Sequence, residues 1–70
     1  MTQKEQIEFF EKVKGQKIKL SQWPERSYII PNELKGDRMI CKASFARGQQ
    51  EFYISDGFKP GAQGYHWELI

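Results

Sequence analysis

The fold is decided by the stretch RMICKASFARGQQEFYIS, residues 38–55. Apart from Ile40, apolar and polar residues alternate over 38–45, which is the period of a half-buried β-strand. The residues that share its apolar face are Met39, Cys41, Ala43 and Phe45. Arg47-Gly48 then provides a tight turn, and alternation resumes over 50–55 with Phe52 and Ile54 facing inward. The stretch therefore predicts an antiparallel hairpin that forms the middle of a sheet.

Toward the N-terminus, the sequence predicts a helix over residues 2–14. Thr2 followed by Glu5 matches a capping box, in which each side chain satisfies a free backbone N–H group of the first turn. Apolar residues at helical spacing form the predicted core-facing stripe, which consists of Ile7, Phe10 and Val13. Gly15 lies where a left-handed residue ends a helix.

Three shorter stretches predict the remaining strands. In residues 17–20, two apolar residues alternate with Lys17 and Lys19. Residues 28–30 form a β-rich run, which Pro31 is expected to end or to mark as a sheet edge. Residues 65–70 alternate again, after an irregular loop over 58–64. We expect one α+β domain over residues 1–70: an N-terminal helix on a four- to five-stranded, mainly antiparallel sheet, which could be strongly curled.

Composition excludes several classes of protein. The 70 residues are 39% hydrophobic and 14% aromatic, too apolar for an intrinsically disordered chain. The single cysteine, Cys41, cannot form an intramolecular disulfide, although secreted domains of this size usually need one. No apolar run is long enough for a membrane span or a signal peptide. We therefore expect a soluble, cytoplasmic protein with no membrane partner.

Groups that could support catalysis are few. His66 is the only histidine and falls on the polar face of the last strand, whereas Cys41 falls on the apolar face of the longest one. No cysteine and histidine spacing matches a zinc site, and the glycines do not match phosphate-binding loops. We expect neither an enzyme nor a bound metal or cofactor; a nucleophilic pair of Cys41 and His66 is the least favoured alternative.

The distribution of charge suggests a binding surface. The formal net charge is +2, and the first twenty residues carry all of it, with five lysines against three glutamates. The four lysines at 12, 14, 17 and 19 have no acidic residue between them, which predicts a local basic edge. Trp23 and Arg26 follow it closely. The candidate partner-binding residues are Lys14, Lys17, Lys19, Trp23 and Arg26, or the loop around Phe58 and Lys59.

Ten aromatic residues exceed what a core of this size needs, and exposed aromatic side chains anchor protein interfaces. We expect a non-catalytic module that binds a protein partner and acts by steric occlusion. Replacing Trp23 by Ala should then weaken partner binding by about 2 kcal/mol or more without unfolding the domain. The alternative is a sequence-tolerant nucleic-acid-binding domain that uses the same basic and aromatic residues. A homodimer through a sheet edge is a further option.

In size, and in its lack of catalytic groups, the chain resembles the small accessory proteins of phages and other mobile elements. Many of these occlude a host protein, as anti-CRISPR and anti-restriction inhibitors do. The resemblance implies an inhibitor. Because no motif carries it, it gives no residue a role.

Overall fold

The computed structural model describes residues 2–58 and 66–70, which form one α+β unit. The elements are helix α1 (Gln3–Val13), strands β1 (Ile18–Leu20), β2 (Ile29–Lys35), β3 (Arg38–Ala43), β4 (Gln49–Tyr53) and β5 (Trp67–Leu69), and a 3₁₀ helix (Ile54–Gly57) between β4 and β5. The prediction of a helix on a five-stranded antiparallel sheet is confirmed. The predictions for Lys59, for most of the 58–64 loop and for Tyr65 lie outside the described residues.

The five strands form one sheet in the order β4-β3-β2-β1-β5, and every neighbouring pair is antiparallel. The hairpin predicted from residues 38–55 is β3 and β4, in which Met39 pairs with Phe52. Glycines at the two hairpin turns have positive φ, 65° at Gly36 and 74° at Gly48, a conformation that other residues adopt at a cost. The turn residues read from the sequence therefore account for the order of β2, β3 and β4. The prediction that the hairpin of residues 38–55 forms the middle of the sheet is wrong, because β4 is an edge strand.

Helix α1 begins and ends where its sequence signals indicate. The Thr2 hydroxyl accepts a hydrogen bond from the Glu5 N–H at 3.2 Å, and the Glu5 carboxylate accepts one from the Thr2 N–H at 3.1 Å. After Val13 the chain turns at Gly15, whose φ is 77° and whose N–H donates to the Pro31 carbonyl at 2.9 Å. The capping box fixes the start of the helix, and the Gly15 bond fixes its end against β2.

Pro31 corrects one prediction, because β2 continues through it to Lys35 and is an interior strand. The Pro31 carbonyl accepts from Gly15 rather than from β3, and the nitrogen of a strand residue points to the same side as its carbonyl. The missing N–H therefore points to the side of β1. That strand pairs with β2 only at Ile29 and does not extend alongside Pro31. The strand loses no ladder bond, so proline is tolerated there.

The core lies between α1 and one face of the sheet. Its buried residues are Phe10, Val13, Ile18, Leu20, Ile29, Met39, Cys41 and Ile54. Two residues assigned to the apolar faces lie elsewhere. Ile7 is 40% exposed, so the buried residues of the helix are Phe10 and Val13 alone. Phe45 is 53% exposed because β3 ends at Ala43.

The sheet is strongly curled, as the contacts of its two edge strands show. The Trp23 ring lies 5.6 Å from that of Phe52 in β4 and 6.0 Å from that of Trp67 in β5, between ring centroids. The Trp67 indole N–H donates to the Ile54 carbonyl at 2.9 Å. The strands at opposite ends of the sheet order thus meet around Trp23 and the 3₁₀ helix.

Among the described residues, no helix combines the length and the hydropathy that crossing a bilayer requires.

Candidate functional site

The basic edge predicted from the sequence is not an edge. Strand β1, which carries Lys19 and follows Lys17, lies between β2 and β5, and the edge strands are β4 and β5. The sequence could not show this because β5 is the last strand of the chain and its pairing with β1 is a contact between distant residues. The lysines therefore lie on a sheet face and not along an open strand.

The ammonium group of Lys19 is engaged by neighbouring backbone carbonyls and a carboxylate. The Lys19 side chain is only 13% exposed, and its ammonium group donates to the carbonyls of Leu20, Ser21 and Trp23 at 3.4, 3.4 and 3.1 Å. It also lies 3.7 Å from the Glu68 carboxylate. These bonds join β1, the turn after it and β5, so Lys19 satisfies backbone groups and is not a free surface cation.

Among the described residues, the other predicted cations are exposed, and Lys17 has an aromatic neighbour. Its ammonium group lies 4.8 Å from the centroid of the Tyr28 ring, within cation–π range. Lys17, Tyr28 and Lys42 alternate with buried Ile18, Ile29 and Cys41, so they share the outer sheet face, opposite α1. We call these three residues the outer basic face. Lys14 and Arg26 are exposed beyond it.

Trp23 is partly buried against the core. Besides Phe52 and Trp67, it contacts Phe45 edge-to-face at 5.5 Å. A shallow cavity of about 270 Å³ remains beside it, with Pro24 and Ser27 in its lining. Its first function is therefore packing, and its role in binding stays a prediction.

A concave apolar site lies between α1 and β5. A cavity of about 330 Å³ opens there, and its apolar lining consists of Phe9, Val13, Ile18, Phe58, Trp67 and Leu69. We call it the α1–β5 groove. Phe58, which the sequence singled out, is 43% exposed at its mouth, and its ring meets that of Phe9 edge-to-face at 5.0 Å. Phe9 and Leu69 were not predicted site residues, although the helical period already placed Phe9 beside the apolar stripe.

Acidic side chains border this groove. A second, open cavity of about 640 Å³ adjoins it along α1, shares Phe9 and Phe58, and includes three glutamates at helical spacing, Glu5, Glu8 and Glu11. We call these three residues the acidic rim. The hydrogen bonds from Thr2 lower the pKa of Glu5, which keeps that carboxylate charged. Within the described residues, Glu8 and Glu11 form no ion pair that would neutralise them.

A short polar chain runs beside the groove. The Ser21 hydroxyl lies 3.3 Å from the Nδ1 atom of His66, whose Nε2 atom lies 3.3 Å from the Glu68 carboxylate. A serine, a histidine and a carboxylate in this order resemble the set that activates a hydroxyl nucleophile. His66 is 64% exposed, however, and such activation depends on a site from which water is excluded. We therefore interpret the chain as a surface hydrogen-bond network that fixes the start of β5.

Cys41 and His66 have different surroundings: Cys41 is buried, whereas His66 is exposed. Cys41 lies in the core beneath α1, and burial raises the pKa of its thiol to about 12. A thiol of that pKa carries almost no thiolate at neutral pH, and the thiolate is the nucleophile. This environment does not support the pair of Cys41 and His66.

In the part of the chain that the structure describes, no three histidine, cysteine or carboxylate side chains lie close enough together to hold a metal ion.

Comparison of the chain with protein-family models, with curated proteins and with solved structures finds no match.

Proposed function

We propose that this protein is a small non-catalytic module that binds a protein partner through the α1–β5 groove and acts by covering the partner's surface. The proposal rests on the exposure of Phe58: this large apolar side chain is 43% exposed beside a concave apolar cavity. Aromatic side chains at the mouth of a pocket bring large contact area at little cost in rotamer entropy, and they dominate binding energy at protein interfaces.

The groove is also preorganised. Its floor contains Val13 and Ile18, which are buried core residues, and its wall contains Trp67, whose indole is fixed by its bond to Ile54. A partner that docks there meets side chains already held in place, so binding orders few groups. An inhibitor of the phage or mobile-element type would need such a rigid surface to occlude a host protein.

A cytoplasmic location belongs to the same proposal. The one cysteine is buried and unpaired, which suits a compartment where thiols stay reduced.

The experiment that tests this proposal compares two aromatic variants in capture from a cell lysate. Phe58→Ala removes the ring at the groove, and Tyr53→Ala removes an equally exposed ring from β4, on the outer face. We expect the wild type and Tyr53→Ala to retain the same protein in stoichiometric amount, with and without nuclease, and Phe58→Ala to lose it. A partner that both variants retain equally, or that nuclease removes, would refute the proposal.

A nucleic-acid-binding function is the second candidate, and one contact favours it. Lys17 lies over the ring of Tyr28 on the outer basic face, so a cation and a stacking platform are adjacent. Lys42 adds a second cation nearby, whereas Lys19 on the same face is engaged by backbone carbonyls and Glu68.

Salt and mutation separate the two candidates. If the outer basic face binds nucleic acid, the affinity for a single-stranded oligonucleotide falls with salt with a log–log slope of about −0.7 per phosphate contact. Lys17→Ala should then reduce that slope by about the same amount, and Phe58→Ala should not change it. If no oligonucleotide is retained at physiological salt, this candidate fails.

A further inference from the structure

We infer that the occupant of the α1–β5 groove is a cationic segment of the partner protein that packs an apolar side chain against the paired rings of Phe9 and Phe58; this inference rests on the proposed function. The apolar part follows from the lining of the groove, which offers two phenylalanine rings and Leu69. The charge of the segment follows from the residues that border the groove.

The border of the groove is acidic on a chain that is basic as a whole. Among the described residues, four glutamates and one lysine line the two adjoining cavities: the acidic rim, Glu68 and Lys12. Their formal sum of −3 contrasts with the net charge of +2 for the whole chain. Lys19 offsets part of the Glu68 charge, but the acidic rim makes no ion pair within the described residues. A cationic partner therefore finds a net negative border beside the apolar contact.

The same charges argue against two other occupants. A nucleic acid would bring phosphates against the acidic rim. A second copy of this chain, docked by a twofold axis through the groove, would bring its own acidic rim to the same place, because such an interface pairs like patches. Juxtaposed like charges oppose binding in both cases.

The test is a selection of random short peptides on the wild-type protein, counter-selected on Phe58→Ala. We expect the enriched peptides to have a net positive charge and a large apolar residue. The affinity of these peptides should fall about fivefold for the double variant E8Q/E11Q. The variant removes two exposed carboxylates that a cationic peptide could pair with, and it leaves the capping box intact. The control E25Q/E33Q removes two exposed glutamates that do not line the groove, and it should bind as the wild type does.

Three results would overturn the inference. The first is enrichment of acidic or uncharged peptides, or equal binding by E8Q/E11Q and the wild type. The second is the absence of any peptide that depends on Phe58. The third is a wild-type dimer in solution that Phe58→Ala dissociates, which would make a second copy the occupant. In the first two cases the proposed function still stands if the lysate partner depends on Phe58, so the two failures are distinguishable.

Discussion

The lysines on either side of Ile18 have different surroundings, although the sequence gives them the same pattern. Lys17 is exposed over Tyr28, whereas the ammonium group of Lys19 is shared among three carbonyls and Glu68. Alternation predicts correctly that both leave the core face. It cannot predict which carbonyls a long side chain will reach, because those carbonyls belong to a turn and to a strand whose positions depend on the fold.

Replacing Lys19 by Ala should therefore destabilise the fold. Charge-assisted hydrogen bonds are strong, but these are long and partly exposed, so we expect a loss of about 1–2 kcal/mol in the free energy of unfolding. Lys17→Ala is the matched control and should change it by less than about 0.5 kcal/mol. Urea denaturation of both variants measures the difference, and equal values would show that the bonds of Lys19 contribute nothing.

Cys41 gives the folded protein a specific pH dependence. Its pKa rises to about 12 in the folded state from a value of 9.0, so above pH 9 the unfolded chain loses the thiol proton first. The stabilisation is complete below pH 9 and is lost as the pH rises toward 12, because the unfolded state then binds fewer protons than the folded state. We expect the free energy of unfolding to fall over this range.

The variant Cys41→Ala isolates this contribution, because tyrosines and lysines titrate in both proteins. Its stability should fall less steeply above pH 9 than that of the wild type. In the native wild type, alkylation of Cys41 at pH 8 should be far slower than in denaturant. Rapid native alkylation would mean that the thiol is accessible.

Among the elements, the helix is the one that its own sequence determines most completely. Its first turn depends on a local exchange of hydrogen bonds between Thr2 and Glu5. The strands depend on distant partners, so their ends are less predictable. Residues 38–45 continue to alternate after β3 has ended at Ala43, and Pro31 lies inside β2 because β1 pairs with β2 only at Ile29. Both deviations depend on where the neighbouring strand pairs and where it ends, and a single sequence does not contain that information.

Thr2→Ala tests the helix cap. Loss of the hydroxyl acceptor leaves the Glu5 N–H without its partner, and we expect the free energy of unfolding to fall by about 1 kcal/mol. Gln3→Ala changes an exposed neighbour outside the capping box and is the control. Circular dichroism during thermal unfolding measures both. If the two variants melt together, the capping box contributes no stability.

In the whole molecule, Trp23 joins the two ends of the sheet, which residue patterns alone did not decide. The sequence allowed Trp23 either to pack over an open end of the sheet or to contact a partner, and Trp23 was kept among the candidate contact residues. The structure packs it among Phe45, Phe52 and Trp67, rings from segments far apart in the chain. An aromatic residue between a strand and a proline carries the same local signal in both roles, so only the curl of the sheet distinguishes them.

Trp23→Ala should consequently destabilise the domain by about 2 kcal/mol or more, because it removes a ring that spans β4 and β5. Phe45→Ala removes one neighbour that is itself 53% exposed, and it should cost less. Equilibrium denaturation with urea compares them. If the Trp23→Ala protein is as stable as the wild type, Trp23 does not stabilise the fold, and contact with a partner becomes the better explanation of its position.

The candidate site was only partly predictable from the sequence, because it forms where distant segments of the chain meet. Phe58 was identified because it begins an irregular loop, but its position beside Phe9 and Leu69 depends on the pairing of β5 with β1 and on the packing of α1. The glutamates of the acidic rim were not among the predicted site residues. They become the border of a groove only when the last strand is placed beside the first helix.

The most direct test of the central claim is photo-crosslinking in living cells, with a benzoylphenylalanine residue in place of Phe58 or, as the matched control, in place of Tyr53. We expect one discrete protein adduct from position 58 and none from position 53, because the groove and the outer face lie on different sides of the molecule. An adduct that forms at position 53 and not at position 58, or an adduct with nucleic acid, would contradict it.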